Sequence, residues 1–174
     1  MKKATHILGG AIAAGGVYLV ARNNVSSVDI IALAAGALVG CLIPDIDHPN
    51  STVSHNAKAL RLAYRVGTIG NPDGKHRGMM HSLLFCIPWI LLSVFITNSM
   101  ARFAFIGISA GYLSHLLLDC FNPTGCLLFY PFKKSIHFGK IRTGGVGEII
   151  FAVTECLIIA LAVFSPYLLN FIFA

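Results

Sequence analysis

Three side chains that commonly bind metal ions lie close together between two prolines: Asp45, Asp47 and His48, in the segment Pro44-Asp45-Ile46-Asp47-His48-Pro49. Carboxylate oxygen and imidazole nitrogen together suit Zn²⁺, Mn²⁺ or Fe²⁺. The prolines stiffen the segment and end any helix that enters it. We therefore predict that Asp45 and His48 are metal ligands. Asp47 is a reserve ligand or, as an alternative to Glu148, the general base. The alternative is an Asp-rich turn that caps a helix.

A second group of candidates surrounds Gly78, where His76 and Arg77 precede it and His81 follows. We expect His81 in the first turn of a helix and His76 on the preceding loop, with Gly78 as a hinge that lets both turn inward. The planar guanidinium of Arg77 matches two oxygens of a phosphate or carboxylate. Alternatively, the two histidines are interfacial and Arg77 reaches toward lipid headgroups.

His115 and Asp119 are four residues apart, so on a helix they share one face. Both could bind a metal, or Asp119 could orient the imidazole as a hydrogen-bond acceptor. His6 begins the first helix and is expected to complete the site. Glu148 begins the last helix, where it could be a ligand, a general base or a charge that favours the helix dipole. The predicted metal ligands are His6, Asp45, His48, His81, His115 and Asp119, and the candidate catalytic residues are Asp47, His76, Arg77 and Glu148.

The composition indicates that a membrane surrounds these residues. Of 174 residues, 56% are hydrophobic and 11% are charged, whereas about 25% charged residues are normal in soluble domains. Too few polar side chains remain to cover a soluble surface. Apolar runs predict five transmembrane helices, at about residues 4–21, 25–44, 81–100, 102–118 and 147–174. For the first run, the alternative is a secretory signal peptide.

The positive charges predict the orientation of these helices. All 13 Lys and Arg except Arg22 and Arg102 lie at the N-terminus or in two loops, at about residues 45–80 and 119–146. Cytoplasmic loops retain such charges. We therefore expect a cytoplasmic N-terminus and an extracytoplasmic C-terminus. The net charge of +6 then reflects topology and gives no indication of nucleic-acid binding.

The candidate site residues gather on one side of the predicted membrane domain. All seven histidines map to the cytoplasmic face or to helix ends that open onto it. Ionisable groups at membrane depth are costly and usually mark a site. Two Gly-x-x-x-Gly motifs, at Gly36 and Gly40 and at Gly107 and Gly111, would let neighbouring helices approach closely. We predict an all-α polytopic membrane protein with a single integral membrane domain over residues 1–174.

These motifs as a set resemble a family of bacterial inner-membrane proteins, the YdjM-like proteins, some of which are controlled by the LexA repressor. The matching residues are Thr5-His6, Pro44-Asp45-Ile46-Asp47-His48-Pro49, His76-Arg77-Gly78, His81-Ser82, Ser114-His115, Asp119 and Asn122-Pro123-Thr124-Gly125. They spread from residue 5 to about 125. The resemblance implies a multi-helix protein of the bacterial inner membrane that carries the label of a metal-dependent hydrolase.

We expect a membrane-bound hydrolase with a cytoplasm-facing site for one or two divalent ions, most simply Zn²⁺, with Mn²⁺ or Fe²⁺ as alternatives. Six ligands exceed the three or four that a single Zn²⁺ uses. The expected partners are membrane lipid and an anionic substrate, a phosphoester of lipid or headgroup type. The rival function is non-enzymatic metal binding by a transporter or sensor, although a transporter should place its polar ligands near the membrane midplane. A purely structural role would leave the clustered His and Asp unexplained.

Overall fold

The computed structural model describes residues 1–47, 79–132 and 134–172, and in these ranges all side chains except those of residues 46, 47, 79 and 165–172. The described residues form five α-helices and no β-strand, which confirms the predicted all-α class. The helices are α1 (Lys3–Ala21), α2 (Ser27–Gly40), α3 (Leu83–Phe95), α4 (Ser99–Cys120) and α5 (Val146–Ile172).

Three helical stretches among the described residues are long and apolar enough to cross a membrane: Lys3–Asn24, which is α1 with the 3-10 turn after it, Ser99–Cys120, which is α4, and Val146–Phe164 within α5. The helices α2 and α3 have 14 and 13 residues. At about 1.5 Å per residue they extend about 20 Å, which is shorter than a hydrocarbon core of about 30 Å. Within the ranges that the structure describes there are therefore five helices, whereas five complete spans and the orientation of the termini stay predictions.

Local capping explains why two helix boundaries differ from the predicted ones. Helix α2 begins at Ser27 because Ser26 and Asp29 form a reciprocal capping box, in which each side chain accepts a hydrogen bond from the other residue's backbone N–H. Helix α4 begins at Ser99, three residues earlier than predicted, because the Asn98 side chain accepts a hydrogen bond from the backbone of Ala101. Arg102 consequently lies within α4.

Helices α2 and α4 pack together through both predicted glycine motifs. A Cβ atom at Gly40 would overlap the carbonyl oxygen of Ile108, and one at Gly111 would overlap that of Ala37. Gly36 and Gly107 meet the opposite backbone in the same way. Only glycine permits this approach. The contact joins the helix that leads to Asp45 with the helix that carries His115 and Asp119.

Helix α4 is the central element of the bundle, in contact with α1, α2 and α3, and α1 also packs against α5. Between α4 and α5, the chain folds back so that the backbones of Cys126 and Ile136 exchange two hydrogen bonds. The side chains of Phe129, Phe132 and Phe138 in this loop are exposed. Exposed aromatic rings are typical of a segment at the headgroup level of a membrane protein.

Candidate metal centre

Five of the six predicted metal ligands lie together at one end of the bundle. They come from the start of α1, the turn after α2, the turn before α3 and the end of α4, and they are His6, Asp45, His81, His115 and Asp119. His115 Nε2 lies 3.8 Å from Asp45 Oδ1 and 3.7 Å from Asp119 Oδ2. His81 Nε2 lies 3.9 Å and 3.7 Å from the same two oxygens. The segments that the sequence could not join therefore converge.

His6 approaches the cluster from α1. Its Nε2 lies 3.5 Å from Asp119 Oδ1, and its ring stacks on that of His115 with centroids 3.7 Å apart and 11° between the planes. The amino group of Met1 donates a hydrogen bond of 3.0 Å to the same oxygen of Asp119. The two Asp119 oxygens thus face different histidines.

Burial makes this cluster costly unless its charges are compensated. The side chains of His81 and His115 are fully buried, and those of His6 and Asp119 are 1% exposed. Only Asp45 is partly open, with 29% of its side chain exposed. Buried charges in proteins are paired or coordinate metals. Asp45 therefore marks the side from which water or a ligand reaches the cluster.

The hydrogen bond of His115 fixes the chemistry of its ring. Nδ1 lies 2.7 Å from the carbonyl oxygen of Cys41, and because a carbonyl only accepts, we assign the ring proton to Nδ1. The lone pair of Nε2 then points toward the carboxylates of Asp45 and Asp119, and Nε2 makes no hydrogen bond to a described residue. Three electron-rich atoms meet there, an arrangement that a cation between them would stabilise.

The distances fit a small divalent ion after a minor contraction. Zn²⁺ holds nitrogen and oxygen ligands at about 2.0–2.2 Å, which places neighbouring ligand atoms of a tetrahedral site about 3.4 Å apart. The observed separations exceed this by a few tenths of an ångström. Two groups of three have ligand atoms within 4.8 Å of one another: His6, Asp45 and His115, and His81, His115 and Asp119. His115 has one nitrogen, Nε2, that can bind an ion, and both groups contain His115. The simplest interpretation is therefore one ion that the two groups share.

Two supporting groups were missed by the sequence reasoning. The hydroxyl of Tyr112 donates a hydrogen bond to the carbonyl of Met80, in the 3-10 helix Met79–His81 that carries His81. The second is the Cys41 carbonyl that holds His115. A buried tyrosine usually finds a hydrogen-bond partner for its hydroxyl. Because Tyr112 lies one helical turn before His115, the sequence could have suggested that it supports the site. The role of a backbone carbonyl is not visible in a sequence.

His81 precedes α3 rather than lying in its first turn. The residues Met79–His81 form a separate 3-10 helix, and α3 begins at Leu83. The backbone of Leu83 donates a hydrogen bond of 2.9 Å to the carbonyl of Leu128, which lies in the loop after α4 and not in the turn before α3. This loop contact anchors the start of α3 next to His81.

Glu148 lies at the start of α5 with both oxygens already hydrogen-bonded. Oε1 accepts hydrogen bonds from the backbone of Lys2 and from the hydroxyl of Thr5, and Oε2 accepts one of 2.6 Å from the backbone of Gly144. These contacts tie α1 to α5 beside His6. They favour a positioning role for Glu148, and its role as a general base stays a prediction.

Replacing Glu148 by alanine is expected to destabilise the protein by about 2–4 kcal/mol. This is less than three full hydrogen bonds to a charged acceptor, because the contacts with Lys2 and Gly144 are partly buried and water can replace the lost acceptor there. Glu148→Gln should lose less, since its amide oxygen still accepts the Lys2 and Thr5 donors. Unfolding in mixed micelles with increasing denaturing detergent measures the difference. Equal stability of Glu148→Ala and the unmodified protein would show that these hydrogen bonds do not hold α1 to α5.

The structure does not describe the side chains of the other four candidate residues. His48, His76 and Arg77 lie outside the described residues, and so does the side chain of Asp47, whose backbone belongs to the 3-10 helix Pro44–Asp47. Their predicted roles stay predictions.

Comparison with known proteins confirms the resemblance. The family model of the YdjM inner membrane protein matches residues 1–173. The inner membrane protein YdjM of Escherichia coli K12 is 35% identical over 103 residues, which are 57% of this chain and 49% of that protein. YvsG of Bacillus subtilis is 32% identical over 147 residues, which are 83% of this chain and 82% of that protein.

A further relative matches a shorter part of the chain. ORF4' of Methanothermobacter thermautotrophicus is 34% identical over 73 residues, which are 42% of this chain and 30% of that protein. The chain spans about half the length of the Escherichia coli relative that it matches. No solved structure matches it. Because the family model covers nearly the whole chain, this protein belongs to the YdjM family of inner membrane proteins.

Proposed function

We propose that the protein is a membrane-bound, metal-dependent hydrolase that cleaves a phosphoester of lipid or headgroup type at the cytoplasmic face. One observation carries the proposal. The lone pair of the buried His115 Nε2 converges with the carboxylates of Asp45 and Asp119, and a hydrogen bond from Nδ1 to a carbonyl fixes this orientation. Metal-binding histidines typically have their second nitrogen held in this way.

A Zn²⁺ ion held by His115, Asp119 and two or three of their neighbours would lower the pKa of a water molecule toward neutrality. In this proposal, the chain positions the reactants around that water. Asp45, the one partly exposed member of the cluster, lies where a substrate enters. Asp47, two residues further along, accepts the proton. Arg77 binds two oxygens of the phosphate.

The position of the cluster supports a substrate with a phosphate at the membrane surface. The five side chains lie at the helix ends rather than midway along α1, α4 or α5. A lipid headgroup meets a site at that level without leaving the bilayer. The surrounding basic residues would attract an anionic headgroup. This location also favours an enzyme over a transporter, whose ligands lie near the midplane.

The test supplies Zn²⁺ to the detergent-purified protein and measures phosphate or headgroup release from phosphatidic acid, phosphatidylglycerol and para-nitrophenyl phosphate. Asp47→Asn should retain the metal and lower kcat by about 10²–10⁴, the range for loss of a general base. Arg77→Ala should mainly raise KM. Asp45→Asn should lose metal and turnover together.

A protein that binds metal and hydrolyses none of these phosphoesters would contradict the proposed substrate class. In that case, metal-dependent flux into vesicles that contain the protein would identify the transporter instead. Equal turnover in Asp47→Asn and the unmodified protein would remove Asp47 from the mechanism.

A further inference from the structure

A cavity of about 780 Å³ lies between α1, α4 and α5, beside the metal centre. Its wall includes Ala13 of α1, Leu117 of α4, and Ile150 and Ile158 of α5. Its volume falls within the range of about 300–1,000 Å³ typical of small-molecule sites. Leu117, Ile150 and Ile158 are also exposed at its rim, where hydrocarbon tails of the bilayer would reach it.

One polar group in this apolar wall has no hydrogen bond among the described residues. Glu155 is 5% exposed, and its buried Oε2 makes no hydrogen bond. The other two polar side chains of the wall are satisfied by their own helices: Ser114 donates to the carbonyl of Gly111, and Thr154 donates to that of Ile150. A buried carboxyl without a partner is costly. A bound molecule that hydrogen-bonds Glu155 would remove that cost.

The small size of Gly9 lets Glu155 reach the cavity. A Cβ at Gly9 would come within 3.2 Å of Glu155 Oε1 and closer still to Leu118. Glu155 lies seven residues after Glu148 on α5, about 10 Å deeper along the helix. The carboxyl therefore lies about two helical turns further along α5 than Glu148, below the end of the helix that is next to His6.

Two exposed cations flank one residue of the cavity wall in the sequence. Ile141 lines the cavity, and its neighbours Lys140 and Arg142 are exposed cations. The wall also continues to the metal centre, because Ser114 and Leu118 immediately precede His115 and Asp119 on α4. Exposed cations next to a lining residue, a buried hydrogen-bonding group and an apolar interior form the complement of an anionic phospholipid.

We propose that this cavity holds one acyl chain of an anionic phospholipid, with Glu155 hydrogen-bonded to the ester of that chain and Lys140 and Arg142 beside its phosphate. Glu155 can donate to the ester carbonyl in its acid form. That the bound lipid is also the substrate rests on the proposed function, whereas binding itself needs neither metal nor hydrolysis. In this proposal, the cavity holds the acyl chain so that the phosphate of the lipid lies next to the metal centre.

The test places the protein in vesicles of phosphatidylethanolamine and phosphatidylglycerol that contain phosphatidylglycerol with a diazirine in one acyl chain. Photolysis should concentrate adducts on peptides that contain residues 110–118 and 150–158. Ala13→Phe places an aromatic ring in the cavity, in the path of an acyl chain, and should lower that yield roughly tenfold, equivalent to about 1.4 kcal/mol. Ala11→Phe is the matched control, because Ala11 lies on the same helix, is exposed and lines no part of the cavity.

A second pair of variants tests Glu155. Competition between ester-linked and ether-linked phosphatidylglycerol should favour the ester about fivefold, the effect of one hydrogen bond. Glu155→Leu should lose this preference, and Glu155→Gln, whose amide still donates, should retain it. A merely structural role for Glu155 would not distinguish the two lipids.

Adducts spread equally over the cavity peptides and α3, or an unchanged yield in Ala13→Phe, would overturn the inference, as would crosslinks to a second copy of the chain. Each experiment is repeated after chelation of metal. Localised adducts without any hydrolysis would retain the lipid site and contradict the hydrolase. Hydrolysis without localised adducts would support the hydrolase and contradict the lipid site.

Discussion

Replacing His115 by alanine is expected to weaken metal binding by at least about 100-fold, because loss even of a residue that supports a ligand costs about 10–100-fold in affinity. His115 belongs to both groups of three that could hold an ion, so the described residues offer no group of three without it. Competition with a chromophoric chelator measures the affinity. The helical content of the variant should stay unchanged, because α4 keeps its glycine contacts with α2.

The matched control for this variant is His137→Ala. His137 is exposed in the loop between α4 and α5 and belongs to neither group of three. Its removal should leave the affinity unchanged. Equal affinity of the two variants would contradict the assignment of His115 as a ligand, and loss of folded His115→Ala protein would indicate that the histidine is structural.

Substituting Gly111 by alanine is expected to lower the stability strongly and to weaken metal binding as well. The new Cβ would overlap the carbonyl oxygen of Ala37, which is backbone and cannot turn away. The helices α2 and α4 must then separate, at a cost of about 3 kcal/mol or more, the upper range for overpacking. Separation would also displace the turn that carries Asp45, so metal affinity should fall with stability. Unfolding in mixed micelles and chelator competition measure the two effects.

Gly16→Ala provides the control for the same chemical change. Gly16 lies in α1, and a Cβ there would meet nothing within 4 Å. Alanine favours a helix over glycine by about 1 kcal/mol, so this variant should be as stable as the unmodified protein or more so. A Gly111→Ala protein of equal stability would show that α2 and α4 do not meet through their glycines.

The fold class and most of the site could be predicted because both depend on local patterns. Apolar runs predict helices, and the capacity of Asp and His to bind metal does not depend on their neighbours. Spacing predicted the shared face of His115 and Asp119, and the glycine motifs predicted the close contact of α2 and α4. His6 could be included because it lies at a helix end on the same predicted face as the others.

Other features depend on contacts between distant parts of the chain, so the sequence could not predict them. The stacking of His6 on His115 and the hydrogen bond from His115 to the carbonyl of Cys41 both join separate helices. The residue type and position of Glu148 predict a candidate general base. Its hydrogen bonds with Lys2, Thr5 and Gly144 form only in the folded protein, so the sequence did not show them. The cap that Asn98 forms with Ala101 is by contrast local, and the predicted span of residues 81–100 overlooked it: α3 ends at Phe95 and α4 begins at Ser99.

The central claim is that the buried His and Asp side chains bind a metal ion. Elemental analysis by mass spectrometry of the detergent-purified protein, prepared without chelator and with metal supplied, measures the number of ions per chain. We expect about one tightly held ion, Zn²⁺ before Mn²⁺ or Fe²⁺, that is lost in a folded His115→Ala, Asp119→Ala double variant. A folded, unmodified protein without bound metal would contradict it and leave the cluster as a network of hydrogen bonds.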